Sequence, residues 1–166
     1  MPNPGDQITA ADINAAQAAS NLKPMCRLLQ VTTAQSIPNS ANTTMTWDTE
    51  DYDYGGLHAA GAAAVVLTRA GVWRAKASIL LGPRGDYLTY GMCIARNGVN
   101  LPTFERWQPG TSSAQRTCTV TTTALYAAGD SITAIAFQAN TAAAAVSTAI
   151  GSSFESSFEV EFLRDA

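Results

Sequence analysis

Charge is what this chain has least of. Only 14% of its 166 residues are Asp, Glu, Lys or Arg, against about 25% in an average soluble protein. Lysine occurs twice, as Lys23 and Lys76, and the net charge is −3. No basic stripe is present, so neither nucleic acid nor an anionic membrane is an expected partner. A surface so poor in charge is also what a chain shows when another chain covers part of it.

Histidine occurs once, at His58, and no G-x-S-x-G elbow exists, which leaves Ser-His-acid chemistry without its usual sequence support. Glycoside hydrolysis needs two acids facing across a cleft, and Asp86, Glu105, Glu159 and Glu161 have no spacing that singles out a pair. The chain is therefore read as non-enzymatic, with no cofactor. Its three cysteines, Cys26, Cys93 and Cys118, are an odd number without a CxxC or Cys/His pairing. That arithmetic yields neither a zinc site nor a disulfide framework, and buried free thiols folded in a reducing cytoplasm are expected. No apolar run approaches the roughly 18 residues of a membrane span. The N-terminus lacks a basic region, and Asp6, Gln7, Asp12, Asn14 and Gln17 interrupt any apolar stretch, so no export signal is expected.

What is present divides into an arm (residues 1–24) and a β domain (25–166). In "PNPGDQITAADINAAQAASN" (Pro2–Asn21), Thr9 followed by Asp12 forms a capping signal and predicts a helix over about Ala10–Asn21, ended by the Lys23-Pro24 step. Ile8, Ile13, Ala16 and Leu22 make a thin apolar face. A helix of this length is marginal alone in water and has to dock on something.

From Met25 onward the period is two. In "GVWRAKASILLG" Trp73, Ala75, Ala77, Ile79 and Leu81 point one way and Arg74, Lys76 and Ser78 the other. "FEVEFLRD" repeats the pattern, with Phe158, Val160 and Phe162 inside. Further strands are predicted at Cys26–Val31, Thr43–Trp47, Ala63–Thr68, Tyr87–Arg96, Arg116–Tyr126, Ser131–Gln138 and Ala143–Ala149. Turn signals separate them at Gly55-Gly56, Gly82–Asp86, Asn97-Gly98, Pro109-Gly110 and Gly129-Asp130. Eight to ten short strands without a helical crossover mean an antiparallel all-β sandwich or barrel. "YLTYGMCIAR" and "TVTTTALYAAG" look clean on neither face, as expected of strands covered on both sides in a homo-oligomer.

Several stretches invite a ligand. Asp48, Glu50, Asp51 and Asp53 place four carboxylates in six residues, a calcium candidate. An EF-hand counted from Asp48 would put Asp53 and Ala59 where glycine and a bidentate acid belong, so the stretch is read as a solvated acidic loop, with calcium as the alternative. His58, just beyond it, is read as polar surface. Arg84-Gly85-Asp86 is the adhesion tripeptide, but Gly-Pro and Gly-Asp also serve a turn between strands, and the turn reading is taken. Phe104, Arg106 and Trp107 lie in a loop-like stretch, where they form either a sugar-stacking platform or interface packing.

Two resemblances follow. "TRAGVWRAKASILLG" (Thr68–Gly82), "GMCIARNGVNLP" (Gly91–Pro102), "LYAAGDSITAIAFQ" (Leu125–Gln138) and "SSFEVEFL" (Ser156–Leu163) resemble, in that order, tumour-necrosis-factor-like and complement globular-head jelly rolls. The upstream part, "PGDQITAADINAAQAASNLKP" and then Gln35–His58, is similar to the opening of virion proteins of tailed bacteriophages. Gly5, Ile8, Thr9, Ala10 and Asn14 match the arm of that family. Trp47, Asp48, Glu50, Asp51, Asp53, Gly56 and His58 match its second stretch. The resemblance implies a trimeric virion structural protein, a capsid decoration or head fibre, or alternatively a tail fibre or receptor- or carbohydrate-binding module. The implied attachment to capsid or tail proteins runs through the arm, at Ile8, Thr9, Ile13 and Leu22.

Overall fold

The alternation at Gly71–Leu81 becomes burial in the computed structural model, which describes residues 23–101, 105–107, 114–151 and 155–166. Trp73, Ala75, Ala77, Ile79 and Leu81 are sealed in the core while Arg74 and Lys76 stay in water. The strands, in chain order, are β1 Met25–Gln30, β2 Ser36–Ile37, β3 Thr43–Thr44, β4 Thr49–Tyr54, β5 Val65–Val66, β6 Gly71–Leu81, β7 Tyr87–Arg96, β8 Val99–Asn100, β9 Glu105–Trp107, β10 Arg116–Tyr126, β11 Ser131–Asn140, β12 Val146–Ser147 and β13 Ser156–Arg164. All their pairings are antiparallel.

One main sheet has the order β10-β6-β13-β1-β4, the other is built on β3-β11-β7-β8, with β5 added on β11 and β9 on β7, and β12 and β2 form a separate two-stranded pair. The C-terminal strand β13 lies in the middle of its sheet, between β6 and β1. Phe158, Leu28, Trp73, Met92, Ile94 and Ile132 fill the space between the sheets, each essentially inaccessible to water. Burial of each such side chain contributes about 1.5–3 kcal/mol. Phe158 stacks on Trp47, and Phe162 meets the Trp73 ring edge-on at 5.2 Å between centroids.

Several expectations are corrected. The acidic stretch is not a loop: Thr49–Tyr54 is an edge strand on β1. Its alternation was hidden because an edge strand carries polar residues on both sides. The expected strands at Thr43–Trp47, Ala63–Thr68 and Ala143–Ala149 shrink to two residues each. Elsewhere in those stretches isolated backbone bonds replace a continuous ladder, as where Met45 N–H donates to the Ala134 carbonyl of β11. β10 is cleaner than its sequence suggested, with Cys118, Val120, Thr122 and Tyr126 buried and Thr117, Thr121, Thr123 and Leu125 exposed. β7 does bury both faces, from Tyr90 to Ala95. The helix expected at Ala10–Asn21 lies outside the described residues.

Register assigns the loops to two ends. Met25, Tyr54, Glu161, Arg74 and Thr123 form one row across the first sheet. Arg96 marks the same end of the second sheet, where its guanidinium reaches the Leu125 carbonyl. Turns 55–64, 97–98 and 127–130 sit at this end, as does the entry of the chain at Lys23. Loops 31–35, 82–86 and 141–145 sit at the other.

Candidate interaction surface

The outer face of the five-stranded sheet is a grid whose rows follow from register. One row reads Thr123, Arg74, Glu161, Met25, Tyr54, the next Thr121, Lys76, Glu159, Arg27, Tyr52, and the third Thr119, Ser78, Ser157, Leu29, Thr49. Arg74 pairs with Glu161 at 2.7 Å, and Arg27 pairs with both Glu159 at 3.2 Å and Asp51 at 3.0 Å. Lys76 is the register partner of Glu159. Three cations (Arg27, Arg74, Lys76) thus face three anions (Asp51, Glu159, Glu161). Each exposed pair contributes at most about 1 kcal/mol to folding. Their joint effect is a face, neutral within itself, that can meet another surface without stranding a charge. Tyr52 and Tyr54 stack on each other at its edge, with centroids 5.5 Å apart.

The four acids once grouped as a calcium candidate separate into different tasks. Asp48 accepts from the Val31, Thr32 and Thr33 N–H groups and from the Thr32 and Thr49 hydroxyls. Burial alone would raise its pKa, but the backbone donors and Thr49 outweigh it and hold the carboxyl far below its usual range. Asp53 caps the Leu57 and His58 N–H groups. Asp51 takes Arg27, and Glu50 takes His58. Among the described residues no group of three or more His, Cys, Asp or Glu is placed to hold a metal ion.

His58 is not polar surface. Its side chain is 5% exposed, with Nδ1 3.0 Å from Glu50 Oε2 and Nε2 2.9 Å from the Ala62 carbonyl oxygen. Both ring nitrogens are committed to these acceptors, so neither holds a hydroxyl or thiol nucleophile. The ring ties edge strand β4 to the 59–62 turn. Nearby Cys26 is equally inert: burial, then the Asp53 and Glu50 charges, push its thiol up to about 12. All three cysteines are buried.

Arg84 and Asp86 turn toward each other in a bidentate pair, Nε to Oδ1 at 2.7 Å and Nη2 to Oδ2 at 2.9 Å. Asp86 also accepts from Ala142 N–H and the Thr141 hydroxyl, so the tripeptide fastens two loops together. Beside it an open groove of about 370 Å³ runs between Gly82–Arg84 and Ala145–Ala149.

The sugar-platform stretch is corrected in part. Glu105–Trp107 is strand β9, with Arg106 opposite Gly91 and Trp107 opposite Tyr90. Phe104 lies outside the described residues, and for Arg106 and Trp107 only the backbone is described. Ile8, Thr9, Ile13 and Leu22 also lie outside them.

The entry of the chain is firmly held. Pro24 O accepts from Phe162 N–H, Lys23 Nζ donates to the Leu163 carbonyl, and Gly55 packs against Pro24 so closely that a β-carbon there would stand 3.0 Å from the ring. Around this end lie Tyr54, Val66, Val99 and Leu125, four of the five large apolar side chains exposed among the described residues; the fifth, Leu88, is at the other end. Sequence reasoning singled out none of the three aliphatic residues. A lone Val or Leu beside a turn carries no signal until the strands place it beside others.

This two-sheet order, with the last strand central, is an antiparallel sandwich resembling the tumour-necrosis-factor-like and complement globular-head jelly rolls. Among solved structures, murine APRIL at pH 5.0 is similar at 17% identity and a TM-score of 0.61, covering 86% of this chain and all of that one. Murine APRIL at pH 8.0 gives 19% and 0.59 with the same coverage. The globular domain of zebrafish complement 1qA gives 10% and 0.53, covering 87% of this chain and all of that one. At these identities the likeness establishes the fold. No family model matches the sequence, and no curated protein does.

Proposed function

We propose that this chain is a non-enzymatic structural protein of a tailed phage or phage-like particle. It is a homotrimer anchored to capsid or tail proteins by residues 1–24, a decoration or head-fibre protein that displays its jelly rolls outward. The observation that carries this reading is that the chain enters the β domain, at Lys23 and Pro24, at its apolar end. Tyr54, Val66, Val99 and Leu125 ring the end at which the arm joins, so arm and domain can engage one partner together. Three arms on one assembly raise the effective concentration of each contact, and attachment becomes strong without a large interface per arm. The outward charges of the five-stranded sheet pair among themselves, which supports closed symmetry because a covered face would strand no unpaired charge.

The groove beside Arg84 favours a second reading, a carbohydrate-binding fibre module, since it opens at the end away from the arm. One set of measurements separates the two. Light scattering at micromolar concentration is expected to give a trimer; a monomer would overturn the assembly. Deleting residues 1–22 is expected to leave the β domain folded but unable to bind its particle. Glycan binding that survives this deletion and is lost on Arg84→Ala would favour the fibre module.

A further inference from the structure

Asn97-Gly98 is the one Asn-Gly step in the chain, and Asn-Gly is the dipeptide most prone to spontaneous deamidation. The Gly98 backbone nitrogen attacks Asn97 Cγ, the bond from Cγ to Nδ2 breaks and ammonia leaves. Water then opens the cyclic imide, giving aspartate or, with the chain rerouted through the side chain, isoaspartate. The reaction consumes one water and needs no other reactant. Glycine speeds it because no β-carbon hinders the attacking nitrogen.

In this fold the step sits at the tip of the β7–β8 hairpin, in an exposed two-residue turn with φ of 51° and 78°. Everything around the Asn97 amide holds it in place. Nδ2 donates to Asp130 Oδ1 at 2.7 Å, and Oδ1 accepts from Ser131 N–H at 2.8 Å. The backbone N–H of Asn97 donates to the Ser131 carbonyl at 2.8 Å. Asp130 is itself fixed, since Oδ2 takes Ala127 N–H at 2.7 Å and the Arg96 guanidinium at 2.6 Å, and the residue is only 6% exposed. The leaving nitrogen is therefore tied to a carboxylate, and the carbonyl that must rotate toward Gly98 is tied to a backbone donor.

We propose that Asn97 is a latent modification site, held shut by Asp130 and Ser131 and reactive only when the turns 97–98 and 127–130 part. Reaction there is a one-way change. A carboxylate at position 97 can no longer donate to Asp130 and faces it as a like charge, so the latch that joins the two turns cannot close again. The site lies at the arm-bearing end, next to exposed Val99.

The full chain, incubated at mildly alkaline pH, is followed by peptide mass spectrometry at residue 97 and by enzymatic methylation of isoaspartate. The same chain in urea is the open reference. Native Asn97 is expected to react at least about tenfold more slowly than in urea, the order that one charge-assisted hydrogen bond commands. Asp130→Asn is expected to close most of that gap. Equal rates for the native and urea-unfolded chains overturn the proposal whether or not the variant folds. An Asp130→Asn chain that folds and reacts as slowly as the native one overturns the role of Asp130.

Discussion

At the scale of single residues, carboxylates carry much of the loop order. Asp48, Asp86 and Asp130 each bind backbone N–H groups, and each is held below its ordinary pKa. For Asp86 the Arg84 bond is the chief cause; for Asp48 and Asp130 burial opposes the shift and hydrogen bonds override it. A depressed folded pKa stabilises above the unfolded value, about 3.9 for aspartate, and that stability is lost as pH falls toward the folded value. The melting temperature is expected to hold from neutral pH to about 5 and then to fall as the carboxylates protonate. Asp48→Asn should cost about 1 kcal/mol at pH 7 and flatten the acid limb; an unchanged limb would remove Asp48 from this role. The acids were legible in the sequence as a cluster. Their separate duties were not, because the partners that set Asp48 and Asp51 apart lie in or just after β1: Val31–Thr33 for Asp48, Arg27 for Asp51.

At the scale of elements, the start of β6 shows why one sequence feature mattered. In the sequence Gly71 is only the first residue of the period-two stretch that follows it. In the structure Gly71 has φ of +150°, and a β-carbon would stand 2.5 Å from Phe162 Cε2 and 2.6 Å from the Arg164 carbonyl oxygen. The glycine lets the central strand β13 close over the start of β6, where Arg69 covers the Phe162 ring and pairs with Asp165. Gly71→Ala should destabilise by about 2 kcal/mol or more, several degrees in thermal melting. Wild-type stability in that variant would show that the C-terminal strand has room to yield. Strands β6 and β13 were legible because their period-two pattern spans nine or more residues, whereas β7, buried on both faces, was bounded by the turn signals at Gly82–Asp86 and Asn97-Gly98. Strand β4 was not, because its inward positions hold Glu50 and Asp53 rather than apolar residues, and β9 was not, because three residues are too few to show a period.

At the scale of the whole molecule, the two ends differ in character, and the proposed anchoring rests on that difference. Leu125→Glu, on a residue that is 58% exposed, should leave the folding stability within about 0.5 kcal/mol of wild type. It should nonetheless weaken attachment to the particle. If particle binding is unchanged while deletion of residues 1–22 abolishes it, the arm acts alone and the apolar end has no part in attachment.

Sequence alone determined the fold class and the positions of the long strands, because alternation is a local property that burial on one face imposes on neighbouring residues. It also determined the absence of a recognisable catalytic motif, since that depends on which residue types are present at what spacing. Only the tertiary structure decided which side chains meet. Register put Arg27 between Glu159 and Asp51, sheet order put the last strand at the centre, and the meeting of two turns put Asp130 on Asn97. Those contacts join residues from 24 (Arg27 and Asp51) to 136 (Met25 and Glu161) positions apart, and no local pattern encodes a pairing that forms only when both sheets are in place.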